Sequence, residues 1–179
     1  MRISGGYLRG REIVFPNNHR THPMGERVRS GLFNTLGIIT DLSVLDAYAG
    51  SGLIGFEAIS RGASKVTAIE NDHQAQEVIK ENIIKLSLTD SMNLVQASAT
   101  SWLNTTKTNF DVVILDPPYD KIKTDVLLKL SERVIPGGIV VLSSPPNFKL
   151  ILPTYFKVLI IKNYGDAEIS FYKRSRLSE

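Results

Sequence analysis

Three glycines and two acids give this chain its first chemical signature. Gly50, Gly52 and Gly55 stand in the spacing G-x-G-x-x-G directly after the apolar run Ser43–Leu45, and Glu70 follows Gly50 by 20 residues. Glycines in such a turn let the backbone approach a ligand closely, while a carboxylate at the tip of the next strand accepts bonds from ribose hydroxyls. The spacing therefore points to a nucleotide-type cofactor. A dinucleotide rests its pyrophosphate on the helix N-terminus. S-adenosylmethionine has no phosphate and carries an ammonium, a carboxylate and a sulfonium cation. The glycines fit both classes. Asp46, immediately before the loop, favours the cationic methyl donor and would sit poorly beside a pyrophosphate.

The elements that must position these residues follow from apolar spacing. Arg2–Ser4 and Glu12–Phe15 read as short strands around the glycine-rich turn Gly5–Gly10, and Pro16–Gly25 reads as a loop. Val28, Leu32, Phe33 and Leu36 mark one face of a helix from Glu26 to about Leu36. Strands are predicted at Ser43–Leu45, Lys65–Ile69, Asn93–Gln96, Val112–Leu115, Ile139–Leu142, Phe156–Ile161 and Ile169–Tyr172. Between them come a helix ending near Arg61, one carrying Ala75, Val78, Ile79, Ile83 and Leu86, a short one around Trp102, and one near Asp125–Val134. Pro136-Gly137-Gly138 is expected to stop the last of these, and the turn at Asn163–Asp166 to make the final two strands an antiparallel hairpin.

Such alternation implies an α/β fold, a doubly wound, mostly parallel sheet of seven strands covered on both faces. Ligands then bind at the carboxyl ends of the strands. The expected division is an N-terminal extension over residues 1–40, with hairpin and helix, and a main domain over residues 41–179.

Composition narrows the classes. With 179 residues, 42% hydrophobic and 22% charged, the chain can bury a core and does not read as disordered. No apolar run approaches the roughly 18 to 20 residues of a spanning helix, and the N-terminus lacks a signal-type stretch. Zero cysteines exclude disulfides and thiolate metal sites. A cytoplasmic address without membrane or metal partners is the expectation, and a monomer the default.

The net charge of +3 is uneven: residues 1–30 hold six arginines against Glu12 and Glu26, whereas the rest of the chain is nearly balanced. Arginine forks pair with phosphate, so Arg2, Arg9, Arg11, Arg27 and Arg29 are candidate nucleic-acid contacts, against the plainer reading of a solvated segment. His19 and His22 lack acidic neighbours at ligand spacing, Trp102 reads as a core residue, and Lys173, Arg174 and Arg176 read as a frayed basic tail.

Asp116-Pro117-Pro118-Tyr119 closes the strand ending at Leu115. This tetrapeptide resembles the Asp/Asn-Pro-Pro-aromatic signature of methyltransferases acting on exocyclic base amines. The lone pair of such an amine is delocalised into the ring, so acceptors that hold its hydrogens localise the pair toward the incoming methyl. The resemblance gives that task to the Asp116 side chain and the Pro117 carbonyl, the prolines limiting backbone freedom, with Tyr119 stacking on an extruded base.

Over nearly its whole length the chain resembles the RsmD family of 16S rRNA guanine-N2 methyltransferases. The match is carried by Arg2-Ile3-Ser4-Gly5-Gly6, Arg9-Gly10-Arg11, Glu26-Arg27-Val28-Arg29 with Leu32-Phe33-Asn34, Ala49-Gly50-Ser51-Gly52, Ser60-Arg61-Gly62-Ala63, Asp-Pro-Pro-Tyr and Tyr164-Gly165-Asp166. The resemblance implies a Rossmann-like class I methyltransferase core that uses S-adenosylmethionine. It places Asp46, Ala49, Gly50, Gly52, Glu70, Asn71 and Asp116 on the cofactor, with Ser98 and Ala99 near the adenine. Pro118 and Tyr119, with the five arginines, would hold 16S rRNA, naked or within the small ribosomal subunit. Met24, Glu26 and Ser30 depart from the family's usual Thr, Asp and Glu, and bear on the RNA target. The alternatives are a base-amine methyltransferase with another target, such as adenine N6 in RNA or DNA, a nicotinamide oxidoreductase, and a non-catalytic RNA-binding module. The oxidoreductase leaves Asp-Pro-Pro-Tyr without a task.

Overall fold

The computed structural model describes residues 1–16 and 24–176; His19 and His22 lie outside the described residues. Seven strands form one sheet in the order β3-β2-β1-β4-β5-β7-β6. These are β1 (Ser43–Asp46), β2 (Lys65–Glu70), β3 (Met92–Gln96), β4 (Phe110–Leu115), β5 (Val134–Ser144), β6 (Phe156–Asn163) and β7 (Glu168–Arg174). The first five are parallel, and β7 joins β5 and β6 antiparallel. The chain winds outward from β1 to β3, then returns to β4 on the other side. The crevice beyond the carboxyl ends of β1 and β4 is thus the switch point where such sheets bind ligands.

Alternation of apolar strand residues feeds two cores. Val44, Val112, Ile114 and Val141 face α1 (Glu26–Leu36), α2 (Leu53–Ser60) and α3 (His73–Lys85). Leu45, Val113, Leu115, Val140 and Leu142 face α4 (Ala99–Leu103) and α5 (Thr124–Ser131). Trp102 is buried in the second core against Phe110, as expected of a core residue. Among the described residues, no helix is long and apolar enough to cross a membrane.

Three local expectations are corrected. The N-terminal strands reduce to a single bridge between Arg2 and Glu12. α5 stops at Ser131, and Pro136-Gly137-Gly138 lies inside β5. The ladder there shifts register, pairing Phe110 with Val134 and Val112 with Ile139, so the extra residues bulge out and the proline needs no ladder donor. The basic tail is not frayed at Arg174, whose guanidinium donates to the Glu132 and Val134 carbonyls at 3.1 and 2.7 Å.

The N-terminal segment is fastened to the main sheet's helices. Ile3, Leu8 and Ile13 enter the first core. The anchor is Glu57, 0% exposed in the apolar helix α2. It accepts from the Ser4 N–H (2.7 Å) and hydroxyl (2.8 Å), Arg61 Nε (2.9 Å) and Arg29 Nε (3.4 Å). With two guanidiniums and two Ser4 donors around it, the carboxyl is held below its ordinary range despite burial. Ser60 and Asn82 complete the attachment: the Leu8 N–H reaches Ser60 Oγ at 2.8 Å, and the Asn82 amide exchanges two bonds with the Val14 backbone.

Candidate active site

The glycine loop leaves β1 and caps α2. The Ala49 N–H bonds the Ile69 carbonyl (2.9 Å) and the Gly52 N–H bonds the Ala49 carbonyl (2.7 Å), which folds the loop against β2. Gly50 and Gly52 have φ of +54° and +78°, in the left-handed region that a side chain disfavours. A Cβ at Gly52 would also press on Phe56 at 2.9 Å. Both glycines are therefore required by the turn itself, and the turn brings its backbone to the switch point.

Glu70, at the tip of β2, holds this loop in place. One carboxylate oxygen accepts from the Gly50 N–H at 2.7 Å; the other accepts from the Asn71 and Asp72 N–H groups at 2.7 and 2.6 Å. A carboxylate has about four acceptor positions, so three bonds leave room for a ribose hydroxyl. Gln76 steadies the strand tip by donating to the Glu70 carbonyl at 2.8 Å. The Asn71 side chain is exposed beside it. Ser98 caps α4 by accepting from the Ser101 N–H at 3.1 Å, and Ala99 is buried after it.

Asp46 closes β1 with 0% exposure. Oδ2 accepts from the Gly55 N–H at 3.1 Å and the Tyr48 N–H also faces the carboxylate, but Oδ1 has no partner at hydrogen-bond geometry among the described residues. Burial, then the charges of Asp116 and Glu70, push its carboxyl up to about 7. Burial raises Asp116 and Glu70 as well. Three carboxylates thus meet at the carboxyl ends of β1, β2 and β4, and among the described residues no Lys or Arg pairs with any of them. Such a cluster repels a pyrophosphate and attracts a cation. An ammonium or sulfonium beside Asp46 would supply the charge that the orphaned Oδ1 lacks, so the residues present fit S-adenosylmethionine.

Asp116 and Pro117 follow β4, Pro117 buried and Pro118 exposed. Tyr119 begins a single 3₁₀ turn, Tyr119–Lys121, and is 39% exposed. Its phenol meets Ser143 Oγ at 2.8 Å. Ser143 escaped the sequence reading, although it lies near the end of β5, one residue beyond the Leu115–Leu142 pair, and so stands beside Asp116.

The arginines separate. Arg9, Arg11 and Arg27 are exposed, and Arg2 is exposed but paired with Glu12 at 2.7 Å. Arg29 is corrected: it is 1% exposed, bound to Glu57 and to the Met24 and Arg2 carbonyls, and cannot reach a phosphate. It shares the inward helix face with Leu32 and Phe33, whereas Arg27 points to the other side.

A doubly wound sheet with a glycine loop, acidic strand tips and Asp-Pro-Pro-Tyr at the switch point defines a Rossmann-like methyltransferase architecture. Within it, the family model described as "Conserved hypothetical protein 95" matches residues 1–173, and the chain belongs to that family, the RsmD family. Relatives named ribosomal RNA small subunit methyltransferase D include one from Haemophilus influenzae, 32% identical over 97% of this chain and 93% of its own. Another, from Escherichia coli K12, is 35% identical over 74% of this chain and 67% of its own. The solved structure of the Escherichia coli protein yhhF superposes with a TM-score of 0.87, at 29% identity and 98% coverage of both chains.

Proposed function

We propose that this chain methylates the exocyclic N2 of a guanine in 16S rRNA of the small ribosomal subunit, with S-adenosylmethionine as donor. The observation that carries the proposal is the uncompensated acidic mouth at β1, β2 and β4, opening beside Asp-Pro-Pro-Tyr in a chain whose relatives bear that rRNA methyltransferase name. Asp46 and the loop from Ala49 to Gly52 would receive the methionyl end, Glu70 the ribose, and Ser98 and Ala99 the adenine side. The bound cofactor supplies an electrophilic methyl on a sulfonium.

The chain's own work is positional. Asp116 and the Pro117 carbonyl accept the two amine hydrogens and turn the lone pair outward. Burial raises the proton affinity of Asp116, so it can take the proton released as the new N–C bond forms. Tyr119 offers a partly exposed ring to the base. Arg9, Arg11 and Arg27 present unburied guanidiniums to phosphates. The protein is read as a monomer, and the better substrate in the assay below separates naked RNA from the assembled subunit.

The test is transfer of labelled methyl to unmodified small-subunit rRNA and to assembled subunits, followed by nucleoside analysis. N2-methylguanosine is expected. N6-methyladenosine would discard the guanine assignment, and binding of NAD in place of S-adenosylhomocysteine would discard the cofactor.

A further inference from the structure

We propose that Ser143 is a positioning residue of this site: its hydroxyl joins the Asp116 carboxylate to the Tyr119 phenol and keeps amine holder and base platform in one geometry. This rests on the methyltransferase reading above, in which Asp116 and Tyr119 contact the substrate base.

The register dictates the placement. β4 and β5 run parallel with Leu115 opposite Leu142, so the next residue of each strand, Asp116 and Ser143, emerge side by side at the switch point. On its other flank Ser143 faces Ile169 of β7, which offers no side-chain partner. Ser143 is 2% exposed, and its hydroxyl lies 2.8 Å from the Tyr119 phenol, 24 residues away in sequence. The register sets the Asp116 carboxylate beside this hydroxyl, where a bond donated from Ser143 favours the charged form.

Proton bookkeeping fixes the direction of the chain. An ionised carboxylate only accepts, and serine has one proton to give. Ser143 therefore donates to Asp116, and Tyr119 must donate to Ser143 Oγ. Each bond orients its neighbour. Without the hydroxyl, the Tyr119 ring, which is partly in solvent, loses its tether, and the half-buried Asp116 loses a donor. The other titratable groups facing this cluster are Asp46 from β1 and Asp166 from the β6–β7 turn. Both are acidic, so neither replaces the lost donor.

The test compares Ser143→Ala, Ser143→Thr, Tyr119→Phe and the double variant Ser143→Ala/Tyr119→Phe, with Ser144→Ala as control. Ser144 is the adjacent buried residue whose Oγ has no partner among the described residues. Two readouts are taken: kcat and KM for the RNA, and the titration midpoint of Asp116 followed by carboxyl carbon NMR in the free protein. Ser143→Ala should raise KM about 2- to 12-fold, the range set by one lost hydrogen bond, and move the Asp116 midpoint upward. Tyr119→Phe should match the KM effect, and the double variant should add nothing further to it. Threonine should restore both readouts, and Ser144→Ala should leave both alone. Unchanged KM together with an unchanged midpoint in Ser143→Ala would overturn the proposal, as would fully additive KM effects. The NMR arm needs no RNA. If the wild-type protein methylates no RNA, the functional reading fails while the midpoint still decides the Ser143 contact.

Discussion

Affinity for S-adenosylmethionine should strengthen about tenfold between pH 6 and pH 8, and Asp46 should be the cause. Its carboxyl is pushed up to about 7 by burial and by the neighbouring charges of Asp116 and Glu70. Only the ionised form attracts a cation. With a midpoint near 7, the ionised fraction rises from roughly 0.1 at pH 6 to roughly 0.9 at pH 8, and the apparent association constant rises in proportion. Binding at pH 6 should also expel nearly one proton. Calorimetry in buffers of different ionisation enthalpy reads both quantities. Asp46→Asn keeps an acceptor for the Gly55 N–H, which Asp46 Oδ2 now holds at 3.1 Å, and should flatten the profile.

The same shift has a sign for stability. A folded carboxyl that titrates above its unfolded value of 3.8 binds extra protons in the native state, so the free protein loses stability as pH rises from about 4 to about 7. The cost is at most on the order of 4 kcal/mol, and bound cation offsets it. A wild-type affinity that changes less than twofold between pH 6 and pH 8, or an equal slope in Asp46→Asn, would refute this electrostatic account.

Asp116→Ala should remove nearly all turnover while S-adenosylhomocysteine still binds. Because Asp116 raises Asp46, the same variant should move the pH profile of cofactor binding downward, as calorimetry would show. Glu70→Ala should weaken cofactor binding by about 1 to 3 kcal/mol, the scale for lost charge-assisted bonds; an unchanged Kd would move the ribose contact elsewhere. Glu57→Ala leaves Arg29 buried without its carboxylate and should cost about 3 to 5 kcal/mol in urea unfolding. Glu57 is held below its ordinary range, so its contribution is present above its unfolded value of 4.5 and fades as pH falls below that. Arg27→Ala should lower the salt slope of RNA binding by about 1. Arg29→Lys should leave that slope alone and show instead as lost stability.

Local pattern carried much of this fold because the sheet is nearly continuous apolar sequence punctuated by turns. The strand–turn–helix at Gly50–Gly55 and the Asp116–Tyr119 corner are legible as sequence since their residues are neighbours along the chain. Glu57 was also open to reading: a lone acid in Leu-Ile-Gly-Phe-Glu-Ala-Ile-Ser demands a buried cation. Arg29 sits three and four residues before Leu32 and Phe33, which places it on the inward face. Treating the N-terminal arginines as one charged group hid that difference. The extension of β5 through Pro136 was not legible, because a bulge is set by the partner strand. Ser143 was hidden for a related reason: it is one of several serines at strand ends, and only strand order brings it to Asp116.

The fastening of the first residues onto α2 and α3 governs the order in which the chain can finish folding. Ser4 waits for Glu57, Leu8 for Ser60, and Val14 for Asn82, separations of 53, 52 and 68 residues. These bonds are thus among the last that the chain can satisfy. Closing such long loops costs entropy before any bond rewards it. Until then Ile3, Leu8 and Ile13 have no core to enter. Once closed, the strap acts like a clasp: interactions formed after the rate-limiting step slow unfolding more than they speed folding. The buried acid of α2 therefore contributes to how long the native state lasts as well as to how stable it is.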